Sequence, residues 1–169
     1  MEVKMLNKNV FDMLRAVLLL LAAMVAMPAF SAGHTAGSSD MEIAREKIKA
    51  DKKFVVAKNM DLTEEEGKKF WPVYEAYQED LQKINQRILK LINEYADAYN
   101  KGQVTDATAR KLTDEAIDIE HDESSLKKSY VPKLSKVLPG VKVARYIQIE
   151  NKVRAIVRYE LASAIPLAY

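Results

Sequence analysis

Asp118, His121 and Asp122 stand at i, i+3 and i+4, so on a helix one imidazole and two carboxylates project from a single face. Such a trio could offer two or three ligands to a divalent metal. A di-iron bundle needs two histidine-bearing pairs, however, and the only other histidine is His34. The same spacing describes a solvated charged face, and that is the reading the sequence favours. His34 raises a second metal possibility. If a leader is removed after Ser31, the chain begins Ala32-Gly33-His34, whose free amine, two backbone nitrogens and imidazole could surround Cu(II) in a square plane. Cleavage one residue later destroys that arrangement, and a linker histidine without a role is the plainer expectation. Ser124 and Lys127 match Ser-x-x-Lys, but no Ser-Asp-Asn or Lys-Thr-Gly element accompanies them. The sequence also has no His-Glu-x-x-His, Gly-x-Ser-x-Gly or glycine-rich phosphate loop. The expectation is a protein that is not an enzyme and uses no cofactor or metal.

A binding chemistry is better represented. Tyr74, Tyr77, Tyr95 and Tyr99 place apolar rings with polar tips along one helix, a surface suited to holding apolar segments reversibly while staying in water. Tyr74, Tyr77 and Tyr95 also fall at heptad positions, where they would pack a helical seam instead. Arg145, Arg154 and Arg158 could steer acidic clients or anionic lipid, but interleaved Glu150 and Glu160 give that helix the pattern of an ordinary solvated face.

The elements that position these residues follow from a segment that says where the chain works. Arg15, the apolar run Ala16 to Met27 and the small-x-small sequence Ala29-Phe30-Ser31 have the order of a secretory signal, expected to be cleaved after Ser31. The run is short of the roughly 20 residues of a membrane span. There is no cysteine, which excludes lipoprotein anchoring, disulfides and thiol redox chemistry. A net charge of +2 gives no electrostatic case for nucleic acid. With 30% charged residues but only five glycines and five prolines, the composition favours long solvated helices. The organisation expected is a signal peptide at 1–31, a small-residue linker at 32–38 and one helical domain at 39–169.

The first helix should open at Ser39, with Glu42 completing a capping box, and run to about Lys58 on an apolar stripe of Ala44, Ile48, Phe54 and Val55. The second should start at Thr63 with Glu66 three residues on. Its apolar positions Phe70, Tyr74, Tyr77, Leu81, Ile84, Ile88, Leu91, Tyr95 and Ala98 alternate spacings of four and three, a coiled-coil seam. Pro72 predicts a bend early in this helix, and Gly102 ends it. Thr105 then caps a third helix whose stripe of Leu112, Ala116, Ile119, Leu126, Tyr130, Leu134 and Val137 carries Glu123 on its apolar line. Pro132 should bend or interrupt it. Pro139-Gly140 marks a boundary before a fourth helix that ends by Pro166. So short a link between the second and third helices favours an antiparallel pair. The fold class is all-α: a long bent helical hairpin with flanking helices, a coiled-coil-like seam and no sheet.

A signal peptide, the helix start Leu62-Thr63-Glu64-Glu65-Glu66, a long helix, a tight hairpin and a second start at Leu138-Pro139-Gly140 together resemble the Spy and CpxP family of small periplasmic helical proteins. That family is marked by a repeated Leu-Thr-x-x-Gln motif. Here Glu66 stands in the first glutamine position, and the second copy has Pro139 for threonine and Lys142 for glutamine. The similarity covers roughly residues 60 to 150. The ending, from Tyr146-Ile147-Gln148 to Ile165-Pro166-Leu167, is more similar to other exported proteins of Gram-negative bacteria than to Spy. The resemblance implies a thin homodimer in the periplasm that shields unfolded or misfolded envelope proteins without ATP, or that inhibits a membrane stress sensor. A structural envelope protein without either activity is the third class.

Overall fold

The computed structural model describes residues 49–168; the expected signal, the linker with His34 and the helix start at Ser39 lie outside the described residues. Among the described residues every regular element is an α-helix, as composition and periodicity predict, and none is long and apolar enough to cross a membrane. Residues 49–60 are the described part of α1, followed by α2 (Glu64–Asn100), α3 (Asp106–Ser135) and α4 (Gly140–Ala164). The chain groups into two compact units, which within the described residues are 49–59 with Ile149–Pro166, and Met60–Gln148 with 167–168.

The larger unit is the hairpin. Thr63 caps α2 through the expected capping box: its side chain accepts from the Glu66 amide at 3.3 Å, and its own amide donates to Glu66 Oε2 at 2.8 Å. Glu64, Glu65 and Glu66 set negative charge against the positive end of the helix dipole. At 37 residues, α2 is roughly 55 Å long. It runs unbroken through Pro72, and α3 runs unbroken through Pro132 to Ser135, so the interruption open to Pro132 is not made. Both prolines are exposed, as are Lys68 and Lys128, whose carbonyls lose a donor and can turn to water instead.

The turn between α2 and α3 has a local cause. Gly102 adopts φ 62°, its amide donates to the Tyr99 carbonyl at 3.0 Å, and Gln103 donates to the Ala98 carbonyl at 2.8 Å. This pair of bonds is the Schellman ending, which needs the left-handed residue that glycine supplies without a Cβ clash. Thr105 then accepts from the Thr108 amide at 3.2 Å and starts α3. The helices run antiparallel: Glu94 meets Lys111, Arg87 meets Glu115 and Asp122, and Asp80 meets Tyr130.

Phe70, Tyr74, Tyr77, Leu81 and Ile84 of the predicted seam are buried, as are Leu112, Ile119, Tyr130 and Leu134 on α3. At the base of the hairpin the first turns of α4 add a third layer. Tyr146, fully buried, lies edge-on to Phe70 with centroids 5.2 Å apart and accepts a hydrogen bond from Gln78 at 3.3 Å. Tyr77 meets Tyr130 in the same way at 5.2 Å. Lys142 closes the base: its ammonium donates to the Asp61 carbonyl at 2.7 Å and to Glu66 Oε2 at 2.5 Å. Glu66 and Lys142 therefore form an ion pair with each other. Glu123, on the apolar line of α3 as the pattern required, is 3% exposed and lies 3.4 Å from Lys127 one turn on, which supplies charge to a carboxylate otherwise costly to bury.

In the smaller unit, Lys52 of α1 meets Glu150 of α4 at 2.8 Å, with side-chain exposures of 19% and 5%. One correction applies to α1. Phe54, assigned to its apolar stripe, is 65% exposed, whereas Val56 is fully buried. Lys52 and Val56 are one turn apart, so the inward face follows their line, and Phe54 falls off it.

Candidate functional site

Burial along the seam of α2 fails toward the turn. Beyond Ile84, the seam residues Ile88, Leu91, Tyr95 and Ala98 are only half-buried, as are Ile92 and Tyr99 beside them. The heptad spacing is unchanged. The bridging side chains of this stretch, Arg87 and Glu94, reach α3, and two helices in contact cover one side of each other's apolar stripe. The result is an open groove of about 760 Å³ between the helices. Leu91, Ala107 and Leu112 lie in it, and Arg87, Glu94, Lys111 and Glu115 frame it. Close by on α3, Ile117 is 61% exposed.

The frame is a ladder of paired charges. Arg87 donates through Nε to Glu115 at 3.0 Å and through Nη1 to Asp122 at 2.5 Å, bridging the hairpin. Lys111 donates to Glu94 at 3.0 Å, and Lys90 stands 3.8 Å from the other Glu94 oxygen. The Lys111 hydrogen bond holds the Glu94 carboxyl below the usual carboxylate range, and Arg87 does the same for Asp122, with a smaller contribution from His121. Glu115 first, and then Asp122, push the Arg87 guanidinium still further up. The Glu94 and Asp122 carboxyls are held toward their charged form and keep water around a groove whose floor is apolar.

The metal-ligand trio is dispersed by this ladder. Asp122 gives an oxygen to Arg87, His121 is 78% exposed with Nδ1 3.5 Å from the other Asp122 oxygen, and Asp118 is exposed on the groove edge. Among the described residues no cluster of three His, Cys, Asp or Glu side chains could hold a metal ion. Lys127 of the Ser-x-x-Lys match is turned to Glu123, while Ser124 is exposed.

The four tyrosines divide between the two ends. Tyr74 is 4% and Tyr77 2% exposed, so these two are core residues and present no surface to a client. Tyr95 and Tyr99 are half-buried, with ring centroids 5.9 Å apart, on the open stretch. Sequence reasoning missed Arg87 and Glu115, and singled out Asp122 only as a metal-ligand candidate. Arg87 immediately precedes the seam residue Ile88, a flank where coiled coils carry their interhelical charges, and that signal could have located it. Compared with known proteins, the chain matches no family model, no curated protein and no solved structure.

Proposed function

We propose that this protein is a non-enzymatic, ATP-independent chaperone of the periplasm, exported by its N-terminal signal and acting as a homodimer that holds unfolded envelope proteins. The observation that carries this reading is the half-covered apolar seam Ile88–Leu91–Tyr95 beside a groove framed by paired charges. An unfolded client exposes apolar segments that would otherwise self-associate. Burying ~100 Å² of such surface is worth about 2.5 kcal/mol before ordering costs, so several shallow contacts can outcompete aggregation and still release the client. Tyr95 and Tyr99 suit such contacts because an aromatic ring gives area with little rotamer entropy to lose. The resemblance to the Spy and CpxP family supports the same reading.

The test is light scattering of a heat- or reduction-unfolded client with the protein near stoichiometric ratio and without nucleotide. Suppression with several unrelated clients is expected. No suppression, together with tight binding to one membrane sensor, would replace this reading with that of a regulator.

A further inference from the structure

Packing accounts for the rings at the base of the hairpin but not for their hydroxyls. Phe70 shows that a plain ring fills this core, yet Tyr74, Tyr77, Tyr130 and Tyr146 around it are all phenols, exposed by 4% or less. A buried phenol must bring a hydrogen-bond partner inside with it, where a phenylalanine would not. What the hydroxyl adds to a ring is the capacity to give up one electron together with a proton.

These side chains stand in file. Half-buried Trp71, the only tryptophan of the chain, has its ring centroid 5.3 Å from that of Tyr74. Tyr146 lies 6.1 Å from Tyr74 and 6.1 Å from Tyr77, and Tyr77 lies 5.2 Å from Tyr130. Each oxidisable ring is thus at aromatic contact distance from the next. Phe70 also meets Trp71, Tyr74 and Tyr146, but a phenyl ring is far harder to oxidise, so it packs the file without being a step in it. The far end has a proton acceptor in place. The Tyr130 hydroxyl donates to Asp80 Oδ2 at 2.7 Å, while Asp80 Oδ1 accepts from Lys83 at 2.8 Å. Lys133 stands 3.8 Å over the Tyr130 ring and opposes positive charge there, so oxidised Tyr130 is stable as the neutral phenoxyl, with its proton passed to Asp80.

We infer that Trp71, Tyr74, Tyr146, Tyr77 and Tyr130 form a relay that carries an oxidising equivalent from the half-buried tryptophan to Tyr130. A one-electron oxidant of the oxygen-derived radical class takes an electron from Trp71 and leaves its radical cation. One electron then passes from Tyr130 through Tyr77, Tyr146 and Tyr74 to refill Trp71, and the Tyr130 proton moves to Asp80. The balance is one electron lost by Tyr130 to the oxidant and one proton gained by Asp80, with the other rings unchanged. The transfer runs downhill, because a phenol that loses its proton is easier to oxidise than an indole that keeps its own. A one-electron reductant of the ascorbate class restores Tyr130 as Asp80 returns the proton. The sequence has no cysteine to take up such an equivalent, and a phenoxyl on a residue 3% exposed is shielded from coupling with other molecules. This protective role goes beyond the holding activity and does not depend on it.

The test is pulse radiolysis of the full chain with azidyl radicals, which oxidise indole in preference to phenol near neutral pH. Decay of the tryptophanyl absorption should match the rise of a phenoxyl absorption, at a rate independent of protein concentration and slower in heavy water. Tyr146→Phe keeps the ring and removes one step, and Asp80→Asn keeps every ring and removes the proton acceptor; circular dichroism checks that both are folded. Each should lose the phenoxyl rise, as should Tyr130→Phe, whereas Tyr95→Phe, on the open stretch and outside the file, should leave it unchanged. A rate that scales with protein concentration would overturn the inference, as would a full phenoxyl rise in Tyr146→Phe or Asp80→Asn, or an equal loss in Tyr95→Phe.

Discussion

The two ends of the α2–α3 hairpin share one heptad spacing and differ in burial. From Phe70 to Ile84 the seam is closed; from Ile88 to Ala98 it is half open. The difference lies in the third layer. At the base, Val143 and Tyr146 at the start of α4 belong to the buried core of the same unit, whereas at the turn end α2 and α3 leave an open groove between them. Periodicity sets which face of a helix is apolar, and the number of neighbours sets how much of that face leaves water.

The strongest way to break this comparison is to remove the third layer. Tyr146→Ala deletes a fully buried ring that touches Phe70, Tyr74 and Tyr77, and should cost about 3–5 kcal/mol in denaturant unfolding of the full chain. A loss near zero would mean that the base owes nothing to α4. A sharper comparison sets the two leucines of one seam against each other. Leu81→Ala, at 6% exposure, should cost about 2–3 kcal/mol, and Leu91→Ala, on the open stretch, about 1 kcal/mol. Equal costs would erase the distinction between the ends.

The features legible in the sequence were those set by near neighbours. The capping box of Thr63 and Glu66, the Gly102 turn and the Thr105 cap are local, and each formed where its residues predict. The seam was legible as a line but not as a gradient, because nothing at Phe70 or Tyr77 records that the first turns of α4 pack at the base. Long-range ion pairs were invisible for the same reason. Glu150 reads as a surface residue until Lys52, 98 positions away, is brought to it, and Glu66 gives no sign of Lys142. The tyrosines show the cost directly: identical residues on one helix became core at Tyr74 and Tyr77 and partial surface at Tyr95 and Tyr99.

The pH dependence of stability should report on the base itself, with a smaller effect. Burial, and then the hydrogen bond to Asp80, push the Tyr130 hydroxyl at the base up to about 12 from 10.0. Its folded form therefore holds the proton longer than the unfolded chain does. Its contribution is complete below about pH 10 and is lost as pH rises through about 12. Glu66 has the opposite sign: Lys142 first, then the Thr63 amide, hold its carboxyl below 4.5, so its contribution is complete above that value and fades as pH falls through the lower folded value. Melting temperature against pH should show both limbs. Tyr130→Phe should flatten the alkaline limb and Glu66→Gln part of the acid one, and a Tyr130→Phe profile unchanged above pH 10 would contradict the assignment.

The central claim, that the open end of the hairpin is where clients are held, is tested most directly by amide hydrogen exchange along α2 with and without an unfolded client. Without client, amides of residues 88–99 should exchange faster than those of 70–84. With client, the account predicts slowed exchange at 88–99 and no change at 70–84. Protection confined to the base, or no protection on α2 while aggregation is still suppressed, would contradict it.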